Sequence, residues 1–345
     1  MADMIVAIGA SAGGVESLRE VVGGLAPDFP GPVFVVLHVA PYQPSALPDI
    51  LNRSGPLHAR HPKDGESIRG NRIYVAPPDH HMLVDHDTIA VKKGPKENRF
   101  RPSIDALFRS VAYSFGAKVV GVVLSGALDD GTSGLWSIKR MGGVSIVQEP
   151  NNARYESMPL SALEQVEIDH TLPAAEIGPL LGKIASTRHV RHALKNKALR
   201  DRLHMEMKIA AEGGAFQKGI MDIGELTPFT CPECHGVVVK LKDGNITRYR
   251  CHTGHGYSDS ALLKGVMEST GELLWQVMRS LEEAAMLLEH IGGHMAEEGA
   301  GQRAETICAK AKEIETRSRT FRDAVLSHET LSTEKLVAAP EKKRA

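Results

Sequence analysis

The sequence is short of several features that would assign it to a specialised class of protein. Its 345 residues include only 4 cysteines and 2 tryptophans, and aromatic residues make up 5% of the chain. So few cysteines cannot form a disulfide framework for a chain of this length, and we expect a reducing, cytoplasmic setting. The formal net charge is −1. A nearly neutral chain has no global field for binding nucleic acid, so we expect no nucleic-acid partner.

Long apolar segments are missing as well. The longest strongly apolar run is Val119–Leu124, far shorter than the roughly 20 residues that span a bilayer. No basic stretch precedes Ile5–Ile8, so we expect neither a secretory signal nor membrane insertion. Apolar residues nevertheless make up 42% of the chain, enough for a sizeable core and too many for a disordered protein.

Short apolar runs alternate with helical patterns over residues 1–185. The predicted strands include Met4–Ile8, Val33–His38, Arg72–Ala76, Val119–Leu124 and Val144–Gln148. Alternation of strands and helices is typical of an α/β fold with a parallel sheet covered by helices on both faces. We therefore predict a doubly wound parallel sheet for this part of the chain.

Composition divides the rest of the chain into four segments. Residues 186–224 are rich in Lys and Arg and predict a basic helical linker, either solvated or a docking surface for an acidic partner. Residues 225–262 hold a cysteine cluster and predict a zinc-ribbon-like module. Residues 263–331 carry apolar positions three and four apart on both sides of a break at Gly292–Gly301, which predicts an antiparallel helical hairpin. Residues 332–345 predict a disordered tail.

A G-x-S-x-G motif at residues 9–13, centred on Ser11, lies where the first strand turns into a helix. Small residues permit the tight turn that exposes a nucleophilic serine, and the backbone N–H of Ala12 could stabilise an oxyanion. Residues 9–14 could instead form a Gly-rich phosphate loop of a nucleotide-binding regulator. The segment has neither the G-x-G-x-x-G pattern nor a Walker lysine.

Polar residues follow two other predicted strands. His38 ends the second strand, and Asp129 and Asp130 follow Val119–Leu124. Because the carboxyl ends of parallel strands meet at one edge of the sheet, we expect Ser11, His38 and one aspartate to lie together. Either aspartate could instead cap the helix that follows. The chain order Ser, His, Asp differs from the Ser, Asp, His order of α/β-hydrolases and disfavours that superfamily.

Several segments, in chain order, carry a resemblance to a known family. They are Ile5–Gly14, His38 after Val-Val-Leu, Tyr74–His81, Arg101–Val111, Leu124–Gly131 and Val147–Pro159. Together they resemble the catalytic domain of the CheB-type protein-glutamate methylesterases of chemotaxis, over about residues 4–180. The resemblance implies a hydrolase acting in signal transduction on glutamate γ-methyl esters of receptor helices, with glutamine deamidation as a further activity and no cofactor for catalysis.

The resemblance also implies roles for individual residues. Ser11 would be the nucleophile and His38 the general base and acid. Asp130, rather than Asp129, would orient the imidazole. The oxyanion would be held by two backbone N–H groups, that of Ala12 and that of Ala127.

Two departures from the family concern regulation. Ile5 begins the catalytic domain at once, so we expect no receiver domain, and the chain carries a C-terminal extension instead. We expect a methylated receptor-type protein as substrate and a regulatory partner on the C-terminal helices. The alternative is a catalytically idle α/β module that acts as a zinc-containing, partner-binding regulator.

Cysteines cluster in the predicted zinc-ribbon-like module. A C-x2-C pair is followed, one predicted hairpin later, by a Cys/His pair, a spacing typical of zinc ribbons. The predicted ligands are Cys231, Cys234, Cys251 and His255, with His252 and His235 as rivals for the fourth position. Four protein ligands would close the metal to substrate, so we expect a structural Zn²⁺. Cys308 lies on the helical seam and is predicted to be a small buried hydrophobe.

Overall fold

The computed structural model describes residues 4–187 and 196–333, with side chains as far as residue 328. The chain divides into two compact units, the first ending at Leu262 and the second beginning at Leu263. Part of the predicted linker, residues 188–195, and most of the predicted tail lie outside the described residues. Within the described ranges, no helix is long and apolar enough to cross a membrane.

Strands and helices alternate through the first part of the chain. The strands, in chain order, are β1 (Ile5–Ala10), β2 (Pro32–Leu37), β3 (His58–Arg60), β4 (Glu66–Ser67), β5 (Arg72–Val75), β6 (His81–Asp85), β7 (Thr88–Lys92), β8 (Val119–Val123), β9 (Val144–Gln148), β10 (His170–Leu172), β11 (Glu225–Thr230), β12 (Val237–Asp243), β13 (Ile246–Cys251) and β14 (Gly256–Ser258). The helices are α1 (Gly14–Gly23), α2 (Leu47–Ser54), α3 (Ile104–Phe115), α4 (Thr132–Arg140), α5 (Ser157–Gln165), α6 (Ala174–Ser186), α7 (Lys197–Glu212), α8 (Ile220–Ile223), α9 (Asp259–Glu297) and α10 (Gly301–Thr333).

A seven-stranded sheet forms the centre of the first unit, in the order β10-β9-β8-β1-β2-β5-β3. All neighbouring strands in it are parallel. Strands β1, β2, β8 and β9 are buried along their whole length, as expected for parallel strands covered on both faces. The α/β fold with a parallel sheet predicted from the sequence is confirmed. A separate antiparallel sheet, β4-β7-β6, flanks α3, where Val84 N–H donates to Ser110 Oγ at 2.9 Å.

Helices cover both faces of the parallel sheet. Val6 and Ile8 of β1 point into the core formed with α1, α2 and α6, whereas Ile5 and Ala7 point into the core formed with α3, α4 and α5. This alternation follows from the two-residue side-chain period of a strand. The middle strands β2, β1 and β8 are neighbours, so the residues that follow them share one edge of the sheet.

Helix α7 differs from the predicted linker. Its Leu199 and Leu203 are buried in the core that contains α3, and Glu206 is fully buried. The side chain of Asn196 caps the helix by accepting a hydrogen bond from Leu199 N–H at 3.0 Å. The solvated-linker interpretation is therefore wrong for the described part of this segment. Its many Lys and Arg residues suggested a solvated helix, but its apolar residues pack against the core.

The cysteine-containing segment forms a four-stranded antiparallel sheet in the order β11-β12-β13-β14. Gly244, with φ 62, occupies the tight turn between β12 and β13, where glycine adopts the left-handed backbone without strain. Cys231 and Cys234 follow β11, Cys251 ends β13 and His255 precedes β14. Both pairs of predicted ligands therefore lie at one end of this sheet.

In the second unit the remainder of α9 and α10 form an antiparallel helical hairpin. Met267 C=O accepts a hydrogen bond from His328 at 2.7 Å near one end, and Gly292 packs against Cys308 near the other. Helix α9 continues through Gly292 to Glu297, so the break is shorter than the predicted Gly292–Gly301. A Cβ at position 292 would lie 2.5 Å from the Cys308 sulfur, and this glycine therefore serves close packing rather than chain reversal.

Candidate active site and metal centre

Ser11 lies in the tight turn between β1 and α1. Gly13 has φ 68, and a Cβ on it would come within 2.8 Å of the Arg154 Cβ, so both backbone and space require glycine there. The N–H of Ser11 donates to the Ser125 carbonyl at 2.9 Å, which joins the turn to the loop after β8. His38, directly after β2, places its Nδ1 3.1 Å from Ser11 Oγ.

Asp130 is hydrogen-bonded to the other ring nitrogen of His38. Its Oδ2 lies 2.8 Å from His38 Nε2, and the two side chains are only 2% and 3% exposed. The remaining donors to this carboxylate are the backbone N–H groups of Ile104 and Asp105, the hydroxyl of Ser103 and the side-chain amide of Asn98. Burial raises the pKa of Asp130, but the hydrogen bonds and the charge of His38 outweigh it, so the pKa lies below its usual value.

Asp129, the neighbouring carboxyl, is bonded to a different partner. Its Oδ1 accepts a hydrogen bond from Ser258 Oγ at 2.7 Å, and burial raises its pKa. The structure thus joins Asp130, and not Asp129, to His38. The chain Ser11–His38–Asp130 has the order of contacts that a nucleophile, a base and an orienting carboxylate require.

The two backbone groups expected to hold an oxyanion lie in the Ser11 turn and in the loop that contacts it. Ala12 follows it directly, and Ala127 belongs to the loop whose Ser125 carbonyl binds the Ser11 N–H. Gly126 packs so closely on this turn that a Cβ would lie 2.9 Å from the Ser11 Cβ. Neither the Ala12 nor the Ala127 N–H donates a hydrogen bond within the part of the chain that the structure describes, so both are available to a ligand.

Three residues around the pair His38–Asp130 were missed by the sequence analysis. Phe100 stacks on the imidazole of His38 with ring centroids 3.8 Å apart and an interplanar angle of 7°. Asn98 and Ser103 donate to Asp130 as described above. Asn98 has φ 49, and a tight turn at this residue is the one signal that the sequence could have offered, since Asn tolerates left-handed backbone.

The four predicted metal ligands come together. The Sγ atoms of Cys231, Cys234 and Cys251 and a ring nitrogen of His255 all lie within 4.8 Å of one another. His255 Nδ1 is 3.6 Å from the Cys231 sulfur and 3.5 Å from the Cys251 sulfur. A hydrogen bond between the two thiols lowers the pKa of Cys251 and raises the pKa of Cys231, so Cys251 is the more readily ionised of the two.

These distances suit a tetrahedral ion. Zinc bonds of about 2.3 Å to sulfur and about 2.0–2.1 Å to nitrogen give ligand-to-ligand separations of roughly 3.5–3.8 Å. The Cys234 and Cys251 sulfurs are 3.6 Å apart, and three thiols with one imidazole form a common zinc donor set. Among the described residues, the rivals His252 and His235 lie outside this cluster. The ring of His252 packs against Gly236 instead.

Comparison with known proteins gives consistent results for the first half of the chain. Residues 6–181 match the family model of the CheB methylesterase. A protein of Leptospira interrogans is 34% identical over 176 residues, which are 51% of this chain and 91% of that protein. A protein of Geobacter metallireducens named protein-glutamate methylesterase/protein-glutamine glutaminase 4 is 40% identical over 182 residues, 52% of each chain.

A solved structure agrees with these sequence matches. The crystal structure of the Thermotoga maritima CheB methylesterase catalytic domain superposes with a TM-score of 0.51 and 31% identity, over 52% of this chain and 98% of that one. Its match therefore covers a whole catalytic domain. The chain belongs to the CheB methylesterase family.

Proposed function

We propose that the chain is a serine esterase that removes methyl groups from glutamate γ-methyl esters of a receptor-type protein, and that it also deamidates glutamine. Relatives with this family's catalytic domain are named for both activities. The observation that carries the proposal is the contact chain Ser11–His38–Asp130, with separations of 3.1 and 2.8 Å. A catalytically idle module would not require the side chains of Ser11, His38 and Asp130 to be in contact.

The protonation states follow from the contacts. An ionised Asp130 can only accept, so His38 Nε2 carries the proton and donates it to Oδ2. Nδ1 is then unprotonated and faces the Ser11 hydroxyl at 3.1 Å, where it can act as a general base. As the proton moves to His38, Asp130 stabilises the imidazolium that forms.

The reaction then proceeds in two halves. Ser11 Oγ attacks the ester carbonyl while His38 takes its proton, and the N–H groups of Ala12 and Ala127 hold the oxyanion. His38 returns the proton to the leaving methoxide, which departs as methanol and leaves an acyl-enzyme. Water, deprotonated by His38, releases the glutamate product. With a glutamine side chain the leaving group is ammonia.

We also propose that the Cys/His cluster, defined as Cys231, Cys234, Cys251 and His255, holds one structural Zn²⁺. Support comes from the donor set and from the separations of 3.5–3.6 Å between its atoms. A bound zinc would supply folding free energy to the small antiparallel sheet. The chemical steps described above do not involve the metal directly.

We also propose that a regulatory protein binds the helical hairpin. Leu273 and Leu287 of α9 are 57% and 60% exposed, and such apolar side chains favour a protein contact. Leu273→Glu combined with Leu287→Glu should weaken hydrolysis of methylated receptors in cells, where the regulatory partner is present, while hydrolysis of a small ester by the purified variant stays the same. Equal loss with both substrates would contradict a partner-binding role.

A serine-reactive phosphonate probe tests the catalytic assignment directly. We expect it to label the wild type at Ser11 and not to label Ser11→Ala. Ser186→Ala is the matched control, because Ser186 is an exposed serine at the end of α6 and its removal should leave labelling unchanged. Labelling that persists in Ser11→Ala would overturn the proposal.

A further inference from the structure

A four-residue turn between β7 and α3 lies between the catalytic pair and the Cys/His cluster. Glu97 N–H donates to Phe100 C=O at 3.1 Å, and Phe100 N–H donates back to Glu97 C=O at 2.9 Å. Its two central residues, Asn98 and Arg99, have φ 49 and 72, which is the geometry of a type I′ turn. We call this segment the 97–100 turn.

One side of the 97–100 turn touches the catalytic pair. Phe100 stacks on His38, and the Asn98 amide donates to Asp130 Oδ1 at 2.8 Å. The same amide donates to Asp105 Oδ2 at 3.0 Å. Burial and the charge of Asp130 raise the pKa of Asp105 to about 7. Asn98 thus donates to two buried carboxyl groups at once and is one of four donors, besides His38, that hold Asp130 in place.

The other side of the 97–100 turn is held by β14. Asn98 N–H donates to Gly256 C=O at 2.7 Å, and Ser258 N–H donates to Asn98 Oδ1 at 2.9 Å. Gly256 N–H in turn donates to the Lys96 carbonyl at 3.1 Å. Strand β14 begins directly after His255, so the backbone that holds Asn98 is continuous with a predicted metal ligand.

A network of buried ion pairs also holds the 97–100 turn, through the side chain of Glu97. Glu97 pairs with Arg109 of α3 and accepts a hydrogen bond from Arg250 of β13 at 2.9 Å. Arg250 also reaches Glu206 of α7 at 3.0 Å. Burial raises the pKa of Glu97, but the two arginine charges outweigh it, so the pKa lies below its usual value. These buried charges connect the 97–100 turn to α3, to α7 and to strand β13, next to β14 in the small sheet.

We propose that Asn98 is a positioning residue through which the Cys/His cluster supports the His38–Asp130 pair, so that loss of the metal lowers the catalytic rate. The proposal rests on the proposed esterase function and on the proposed zinc site. A metal shared by Cys251 and His255 would anchor both ends of the β13–β14 connection, where Cys251 N–H already donates to the His255 carbonyl at 2.9 Å. Without that anchor, β14 holds Asn98 less firmly, and Asp130 loses one of the donors that fix its position.

The test uses the full chain and a small glutamate γ-methyl ester, before and after removal of zinc with a chelator. The central variant is Asn98→Gly, which deletes the side chain and keeps the left-handed backbone that glycine adopts freely. Asn71→Gly is the matched control. Asn71 also has positive φ, at 56, and its amide donates to the Pro27 carbonyl at 2.7 Å, but it precedes β5 at the opposite edge of the sheet.

We expect Asn98→Gly to lower kcat by about 10- to 100-fold with little change in KM, because a misplaced catalytic group slows the chemical step more than binding. The control variant should match the wild type. Zinc removal should lower the kcat of the wild type and have little further effect on Asn98→Gly, since both changes act through one contact.

The pH dependence of kcat/KM distinguishes a positioning role of Asn98 from a general loosening of the fold, which would not shift it. Without the Asn98 donor, the Asp130 carboxylate attracts the protonated form of His38 more strongly, and that form cannot act as a base. The acid limb of the kcat/KM profile should therefore move to higher pH. The titratable groups around Asp130 are His38, Asp105, Asp129 and His81.

Several results would overturn the inference. They are equal kcat values for Asn98→Gly and the control, a full additional loss when zinc is removed from Asn98→Gly, or a chain that binds no zinc. If Asn98→Gly fails to fold, Asn98→Asp takes its place, because it keeps the acceptor for Ser258 and loses the donor to Asp130. An unchanged kcat of the wild type after zinc removal overturns the inference without any variant. An inactive zinc-loaded wild type, or an active Ser11→Ala, would instead overturn the proposed function.

Discussion

Replacement of Asp130 by asparagine gives a sharp test of how the imidazole is oriented. Both oxygens of Asp130 face donors only: His38 and the Ile104 N–H at Oδ2, and three further donors at Oδ1. An amide of the same size must therefore point its NH₂ group at a donor whichever way it is turned. If the NH₂ faces His38, the ring must present an unprotonated Nε2 to it, and the proton moves to Nδ1.

That change of tautomer removes the base from Ser11. Nδ1, 3.1 Å from Ser11 Oγ, would then carry a proton and could not accept another. The equivalent substitution in serine proteases costs on the order of 10⁴ in kcat, and at about 1.4 kcal/mol per tenfold change in rate this is about 5 kcal/mol of transition-state stabilisation. We expect a loss of this size in Asp130→Asn, measured as the steady-state rate of hydrolysis of a small glutamate methyl ester.

Asp129→Asn is the matched control. Asp129 is the neighbouring carboxyl in the chain and is bonded to Ser258 Oγ at 2.7 Å, so its replacement should change the rate by less than about tenfold. Circular dichroism of both variants would show that the fold is kept. A rate within about tenfold of the wild type for Asp130→Asn, or a larger loss for Asp129→Asn, would refute the assigned geometry.

Two further predictions concern stability and metal. Glu206→Gln should lower the free energy of unfolding by about 3–5 kcal/mol in chemical denaturation, because it leaves buried arginines unpaired; a loss under about 1 kcal/mol would contradict this. Burial raises the pKa of Glu206, but Arg248 and Arg109 hold it well below its usual value. Its stabilisation is therefore present above the ordinary pKa of about 4.3 and is lost as pH falls through the folded value, and Glu206→Gln should unfold with a shallower acid dependence. Elemental analysis should find about one zinc per chain, and Cys231→Ser should reduce it and expose residues 225–260 to protease, whereas unchanged zinc would remove Cys231 from the ligand set.

The catalytic edge could be predicted because it depends on local signals. Ser11, His38 and Asp130 each follow an apolar run, and the geometry of a parallel sheet brings the ends of neighbouring strands together without any knowledge of distant partners. The Cys/His cluster was predictable for a similar reason, since ligand spacing and one hairpin turn bring the two pairs to the same end of a small sheet.

The buried arginines could not be predicted in this way. Strand β13 reads Ile-Thr-Arg-Tyr-Arg-Cys and suggests a half-solvated strand, yet Arg248 and Arg250 are 4% and 0% exposed. Their partners lie far away in the chain, with Glu206 42 residues from Arg248 and Glu97 153 residues from Arg250. Local patterns carry no information on such pairings, and the same limitation concealed the packing of α7 and the role of Asn98.

Release of methanol tests the central claim most directly. The full chain is incubated with a methylated receptor fragment and, separately, with a small glutamate γ-methyl ester, and methanol is measured over time for the wild type and for Ser11→Ala. We expect steady release by the wild type from both substrates and none above the uncatalysed rate by Ser11→Ala. Equal release by the two proteins, or no release by the wild type from either substrate, would contradict it.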